Sequence, residues 1–214
     1  MSIQFRLFKS LLYYTILKYK LSLENKKMTM IINPESFLRI ALRSDIVNAV
    51  DELMSESLEK HCKVFVMRFD VHSFEEDEKK NISKFTQRFI EKERRAGYDT
   101  SYIGVREISS NGNKHYHFAI FSNGNKTESV KPHLDNANVA INNLLGLPPG
   151  TRTGIIDECN RDHRNGIMIE RNKSNQNDLD EVSRQLSYIT KVNQKKEVKG
   201  KTFFRSISRK RKNQ

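Results

Sequence analysis

Two histidines one residue apart, His115 and His117, stand in the stretch SNGNKHYHFAIF directly after the turn-forming SNGN. Side chains alternate along an extended chain, so His115, His117, Ala119 and Phe121 would share one face of a strand. Imidazoles at that spacing sit about 7 Å apart and can reach a common metal ion through their neutral ring nitrogens. The pair alone also fits a solvated sheet face that holds nothing. A third ligand would separate the two readings, and Glu107 precedes His115 in the adjoining apolar segment. A two-residue turn at Asn111-Gly112 would put Glu107 opposite Tyr116, on the wrong face. A three-residue loop, Asn111-Gly112-Asn113, would put it opposite His117, and we expect that odd-numbered loop.

A nucleophile stands further on, in EVSRQLSYITKVN. At 100° per residue Leu179, Val182, Leu186 and Ile189 fall in a stripe of about 80°, and Arg184, Tyr188 and Lys191 cluster on the other side within about 60°. A tyrosine serving the core would sit in the apolar stripe, and Tyr188 does not. An ordinary surface tyrosine beside cations is the alternative reading. A nearby ammonium or guanidinium would favour the phenolate, and an activated tyrosine can attack phosphorus covalently. Carboxylate, two imidazoles, tyrosine and lysine in one basic chain together suggest phosphodiester cleavage through a protein–DNA intermediate.

The elements that must position these groups are legible from periodicity. ESFLRIALRSDIVNAVDELMSESLEKH carries apolar residues at helical spacing, and CKVFVMRFDVH reads as a first strand. Residues 77–96 read as an amphipathic helix closed by Gly97, followed by the hairpin TSYIGVREIS, SNGN, KHYHFAIF. KPHLDNANVAINNLLG reads as another helix, GIIDECN and GIMIERN as two short strands, and Leu179–Val192 as a final helix. This order predicts an α+β fold: a mostly antiparallel sheet of about five strands with helices on one face. We expect an N-terminal extension over residues 1–30, a helical lead-in over 31–60, a main domain over 61–205 and a basic tail over 206–214.

The chain of 214 residues has 38 Lys and Arg against 26 Asp and Glu, a net charge of +12, which favours a polyanionic partner. The excess is concentrated beyond Lys191. Two distant cysteines, Cys62 and Cys159, argue against a disulfide framework and fit a reducing cytoplasm. The apolar but lysine-interrupted FRLFKSLLYYTILKYKLSL is too broken to span a membrane and has no signal-peptide cleavage site. It could lie on a membrane surface, but we expect translation to start at Met28 or Met30 and no stable membrane association. No GxxxxGK[ST] loop is present, so no helicase motor is encoded.

HYH followed by apolar residues resembles the His-hydrophobic-His motif of the HUH superfamily of single-strand nicking enzymes, and YITK resembles its Tyr-x-x-Lys nucleophile motif. RFDVH, HYHFAIF and LSYITK are similar to the gene-II-type initiators of filamentous phages and to the prophage-borne YagK/YfjJ C-terminal domain family. The resemblance covers about residues 60–205. It implies an RRM-like HUH architecture and rolling-circle initiation in a bacterial cytoplasm. His115, His117 and Glu107 would hold Mg²⁺ or Mn²⁺, Tyr188 would be the nucleophile and Lys191 its helper cation. Asp70 and His72 would line the site. The implied partners are single-stranded or origin DNA and host helicase and polymerase, with Arg68, Arg184, Lys195, Lys196 and Arg205 as DNA-contacting cations. Some initiators carry a second tyrosine four residues after the first. Here that position is Val192, so a single-tyrosine cycle is expected. The rival is a non-enzymatic nucleic-acid-binding module that stacks bases on an open sheet face through Tyr116, Phe118, Tyr102 and Phe65.

Overall fold

The computed structural model describes residues 43–72, 78–109, 112–159, 164–173, 176–190 and 202–206. The extension 1–30, the first part of the lead-in, Lys191, Lys195, Lys196 and the tail beyond 206 lie outside the described residues. Among the described residues four helices and six strands follow in the order α1 (Ser44–Lys60), β1 (Lys63–His72), α2 (Glu78–Arg95), β2 (Ser101–Ile108), β3 (Lys114–Asn123), α3 (Lys131–Leu145), β4 (Ile156–Glu158), β5 (Ile167–Glu170), α4 (Gln176–Ile189) and β6 (Phe203–Arg205). The architecture is α+β, as the element order implied.

All strand pairings are antiparallel, in the order β4-β1-β3-β2-β6, with β5 also on β1. The two short strands β4 and β5 share one edge of β1, pairing with Phe69–Val71 and Lys63–Val66 respectively. Arg68 falls between them. Its backbone is satisfied by a side chain instead: Asn165 accepts from the Arg68 N–H at 3.0 Å and donates to its carbonyl at 2.9 Å.

The helices cover both faces of the sheet, not one. Val64, Val66, Ile103, Val105, Ala119 and Phe121 pack against Ile46, Val50 and Leu53 of α1 and Val182, Leu186 and Ile189 of α4. Phe65, Met67, Phe69, Phe118 and Ile120 pack against Phe85 and Phe89 of α2 and Ala137 and Ile141 of α3. The physical reason is in the strands. VFVMRF is apolar on alternate residues of both parities, and a strand apolar on both sides must be covered on both. Stacked and edge-on rings of Phe69, Phe85, Phe89 and Phe118 centre the second core, each pair adding about 0.5–1.5 kcal/mol beyond burial.

This second cover removes the open stacking face. Tyr116, Phe118 and Phe65 are buried beneath α2 and α3, and Tyr102 packs against the same cluster. A base could not reach the three buried rings.

β6 was not expected from sequence. It pairs with β2, and the ring of Phe204 lies where a Cβ on Gly104 would stand, at 2.5 Å. Among the described residues no helix is long and apolar enough to cross a membrane, and both cysteines are free.

Candidate functional site

The hairpin register decides whether Glu107 belongs with the histidines. Ser109 N–H donates to the Asn113 carbonyl at 2.8 Å, and Gly112 takes φ +82°. The loop therefore spans the three positions between Ser109 and Asn113, one residue earlier than expected. Its odd length keeps Glu107 on the histidine face, but opposite His115 instead of His117. Val105 is the residue opposite His117. On the other side of β3, Asp70 pairs with His117 and His72 with His115. Two rows thus run across three strands on the α1/α4 face: His72, His115, Glu107 and Asp70, His117, Val105.

Glu107, His115 and His117 each turn one ligand atom inward, all within 4.8 Å of one another, and so form a group that could hold a metal ion. His117 Nε2 lies 2.5 Å from Glu107 Oε2, and His115 Nε2 lies 3.9 Å from the same oxygen. His117 Nδ1 donates to Asp70 Oδ1 at 2.6 Å. A carboxylate on the second ring nitrogen fixes the tautomer that presents Nε2 to a metal and raises its basicity. Asp70 is held in turn by the Cys159 thiol, which donates to Oδ1 at 3.0 Å. The donor set of one carboxylate and two imidazoles, with an outer carboxylate behind one of them, fits a divalent cation.

Electrostatics support that fit. Burial pushes His117 toward neutrality, but the hydrogen bonds to Asp70 and Glu107 outweigh it and leave its pKa raised. Without metal, His117 is therefore favoured as an imidazolium between two carboxylates. Burial, reinforced by the His117 charge, lowers the pKa of His115 and keeps its lone pair free. Burial alone would raise the Asp70 pKa; its bonds to His117 and Cys159 and the Arg68 charge lower it overall. Burial pushes the Cys159 thiol far up, so it serves as a donor, not a nucleophile.

Tyr188 arrives from α4. The predicted stripe is buried as expected, with Val182, Leu186 and Ile189 in the core and Leu179 packed against it. Tyr188 is 41% exposed, and its ring sits edge-on to His117 with centroids 5.4 Å apart. Of its two expected cationic neighbours, Lys191 lies outside the described residues and Arg184 is turned elsewhere. Arg184 forks onto Glu181 at 2.8 and 2.5 Å. Arg68 instead places its guanidinium 4.7 Å from the Tyr188 ring centroid, and it donates to the Gln185 carbonyl of the same helix at 3.0 Å. A cation over the ring lowers the phenol pKa, but burial and the Glu107 and Asp70 carboxylates prevail, and the net shift is upward. Among the described groups the balance therefore favours the phenol, and Lys191, the cation expected to oppose it, lies outside them.

Of the expected DNA-contacting cations, Arg68 is buried beneath Tyr188, Arg184 is paired with Glu181, and Arg205 pairs with Glu52 of α1 at 2.6 Å. His72 is exposed at the end of β1, beside His115. Sequence reasoning missed the tyrosine-holding role of Arg68, although Arg68, Asp70 and His72 alternate as polar residues along an otherwise apolar strand. Cys159 carried no such signal.

The family model for replication-associated protein ORF2/gene II protein matches residues 66–197, a span that contains every residue of this site. No curated protein and no solved structure matches the chain.

Proposed function

The chain belongs to the replication-associated protein ORF2/gene II protein family, and from that premise we propose that it is a nicking-and-joining endonuclease that initiates rolling-circle replication of a phage or related mobile element. The observation that carries the reading is the contact of Tyr188 with His117. Among the described residues α4 is the one helix that carries a tyrosine, and it sets that ring beside the Glu107, His115 and His117 group.

His115, His117 and Glu107 would hold Mg²⁺ or Mn²⁺, which would supply positive charge to stabilise the scissile phosphate and to counter the Glu107 and Asp70 charges that, after burial, raise the Tyr188 pKa. The Tyr188 oxygen attacks phosphorus and the bond to the 3′-oxygen breaks. The phenol proton is lost, the 3′-oxygen leaves as a hydroxyl, and a 5′-phosphotyrosyl ester remains. One phosphodiester replaces another, so joining runs the same step backwards when a 3′-hydroxyl attacks the tyrosyl ester. Asp70 keeps the His117 ring oriented, and Arg68 fixes the Tyr188 ring while favouring its anionic form. Lys191, three residues after Tyr188 in sequence, is the further cation proposed to act at the phosphate. DNA carrying the element's own origin is the substrate; host helicase unwinds it and host polymerase extends the free 3′-end. The setting is the cytoplasm of the bacterial host.

Incubation with single-stranded origin DNA and Mn²⁺, followed by a denaturing gel, tests this. A covalent adduct that disappears with EDTA and in Tyr188→Phe is the expected result. Binding without an adduct in the wild type would refute it.

A further inference from the structure

A groove of about 400 Å³ lies between α2 and α3, lined by Arg88, Glu91, Lys92, Arg95 and Asn143. α2 turns Phe85 and Phe89 into the core. At 100° per residue Arg88, Lys92 and Arg95 then fall within about 60° of one another on the flank that faces α3. Glu91 is engaged by Arg95 at 2.5 Å, so the lining keeps an excess of positive charge. Arg88 and Lys92 are half-buried and Arg95 is exposed, and the N–H donors they turn to solvent along the groove suit phosphate oxygens. The groove belongs to the α2/α3 layer, on the opposite side of the sheet from Glu107, His115 and His117.

We propose that this groove binds the phosphate backbone of double-stranded DNA flanking the nick site. The choice of DNA rests on the nicking reading above; the choice of duplex rests on the lining. Among the described residues no aromatic side chain lines the groove, so they offer nothing for the bases of a single strand to stack on. A duplex keeps its base faces stacked inside and turns its phosphates outward. The triad face then takes the single strand that is cut, while the groove holds the adjoining duplex.

Fluorescence anisotropy with the full chain tests this, using a labelled duplex of arbitrary sequence and a single strand of equal length, each over a range of salt. The variant Lys92→Ala/Arg95→Ala is compared with Lys126→Ala/Lys173→Ala, which removes equal charge from exposed positions elsewhere. The groove variant is expected to weaken duplex binding by at least ~10-fold and to flatten the plot of log K against log salt by about 1.8, two phosphates' worth. The control and the single-strand arm are expected to change by less than about threefold, since neither loses a groove phosphate contact. An unchanged duplex slope, an equal loss in the control, or an equal loss on single strands would each overturn the proposal. Both arms read equilibrium binding without cleavage, so a protein that fails to nick still gives an answer about the groove.

Discussion

Asp70→Asn isolates the outer carboxylate of the metal group. In the wild type Asp70 Oδ1 accepts from His117 Nδ1 at 2.6 Å and from the Cys159 thiol at 3.0 Å. Asparagine can keep the acceptor with its carbonyl oxygen but removes the charge. A hydrogen bond to a charged partner contributes about 1.5–3 kcal/mol and a neutral one about 0.5–1.5, so the loss is about 1–1.5 kcal/mol. That corresponds to roughly tenfold in affinity, the lower end of the 10- to 100-fold range for outer-sphere partners of metal-ligating histidines. Asp70→Ala removes the acceptor as well and leaves the buried His117 Nδ1 unsatisfied, so roughly 100-fold is expected. Calorimetric titration with Mn²⁺ measures both. The order wild type, Asn, Ala, each step near tenfold, supports the wiring of Asp70 through His117. Equal Mn²⁺ affinity in all three would refute it, because the carboxylate would then have no influence on Nε2.

Three further outcomes follow from the same structure. The metal-free protein should be most stable near the ordinary imidazole pKa of about 6.5. The raised pKa of His117 gives stability that is complete below 6.5 and lost as pH rises through its folded value; the lowered pKa of His115 gives stability present above 6.5 and lost as pH falls through its own. Thermal melts across pH check this, and His117→Gln should remove the alkaline limb and weaken the acid one, because the His117 charge helps lower the His115 pKa. Leu186→Ala, at a fully buried position that anchors α4 to the sheet, should cost about 2–5 kcal/mol and lower Tm by several degrees in calorimetry. Gly104→Ala should cost about 1–3 kcal/mol, because the new methyl meets the Phe204 ring at 2.5 Å and displaces β6; faster amide exchange in β2 would report it.

Much of the site was present in local pattern. Strand alternation alone puts His115 and His117 on one face, and helical periodicity alone separates Tyr188 from the apolar stripe of α4, because both depend only on backbone geometry between near neighbours. The matching of helices to apolar runs, and the three motifs of the resemblance, are local in the same sense. Tertiary structure decided what depends on distant segments meeting. The pairing of Ser109 with Asn113 shifted the loop by one residue and set Glu107 opposite His115, a choice between near-equal turns that the local sequence left open. Cover on both sheet faces removed the stacking surface, and β6 found β2 through the space above Gly104. The crossing of α4 over β1 gave Tyr188 to Arg68 and left Arg184 with Glu181, while β4 brought Cys159 to Asp70. The contacts of α4 with Arg68 and of Cys159 with Asp70 join residues about 90 to 120 positions apart, and only the packing of the whole core sets the distances between them.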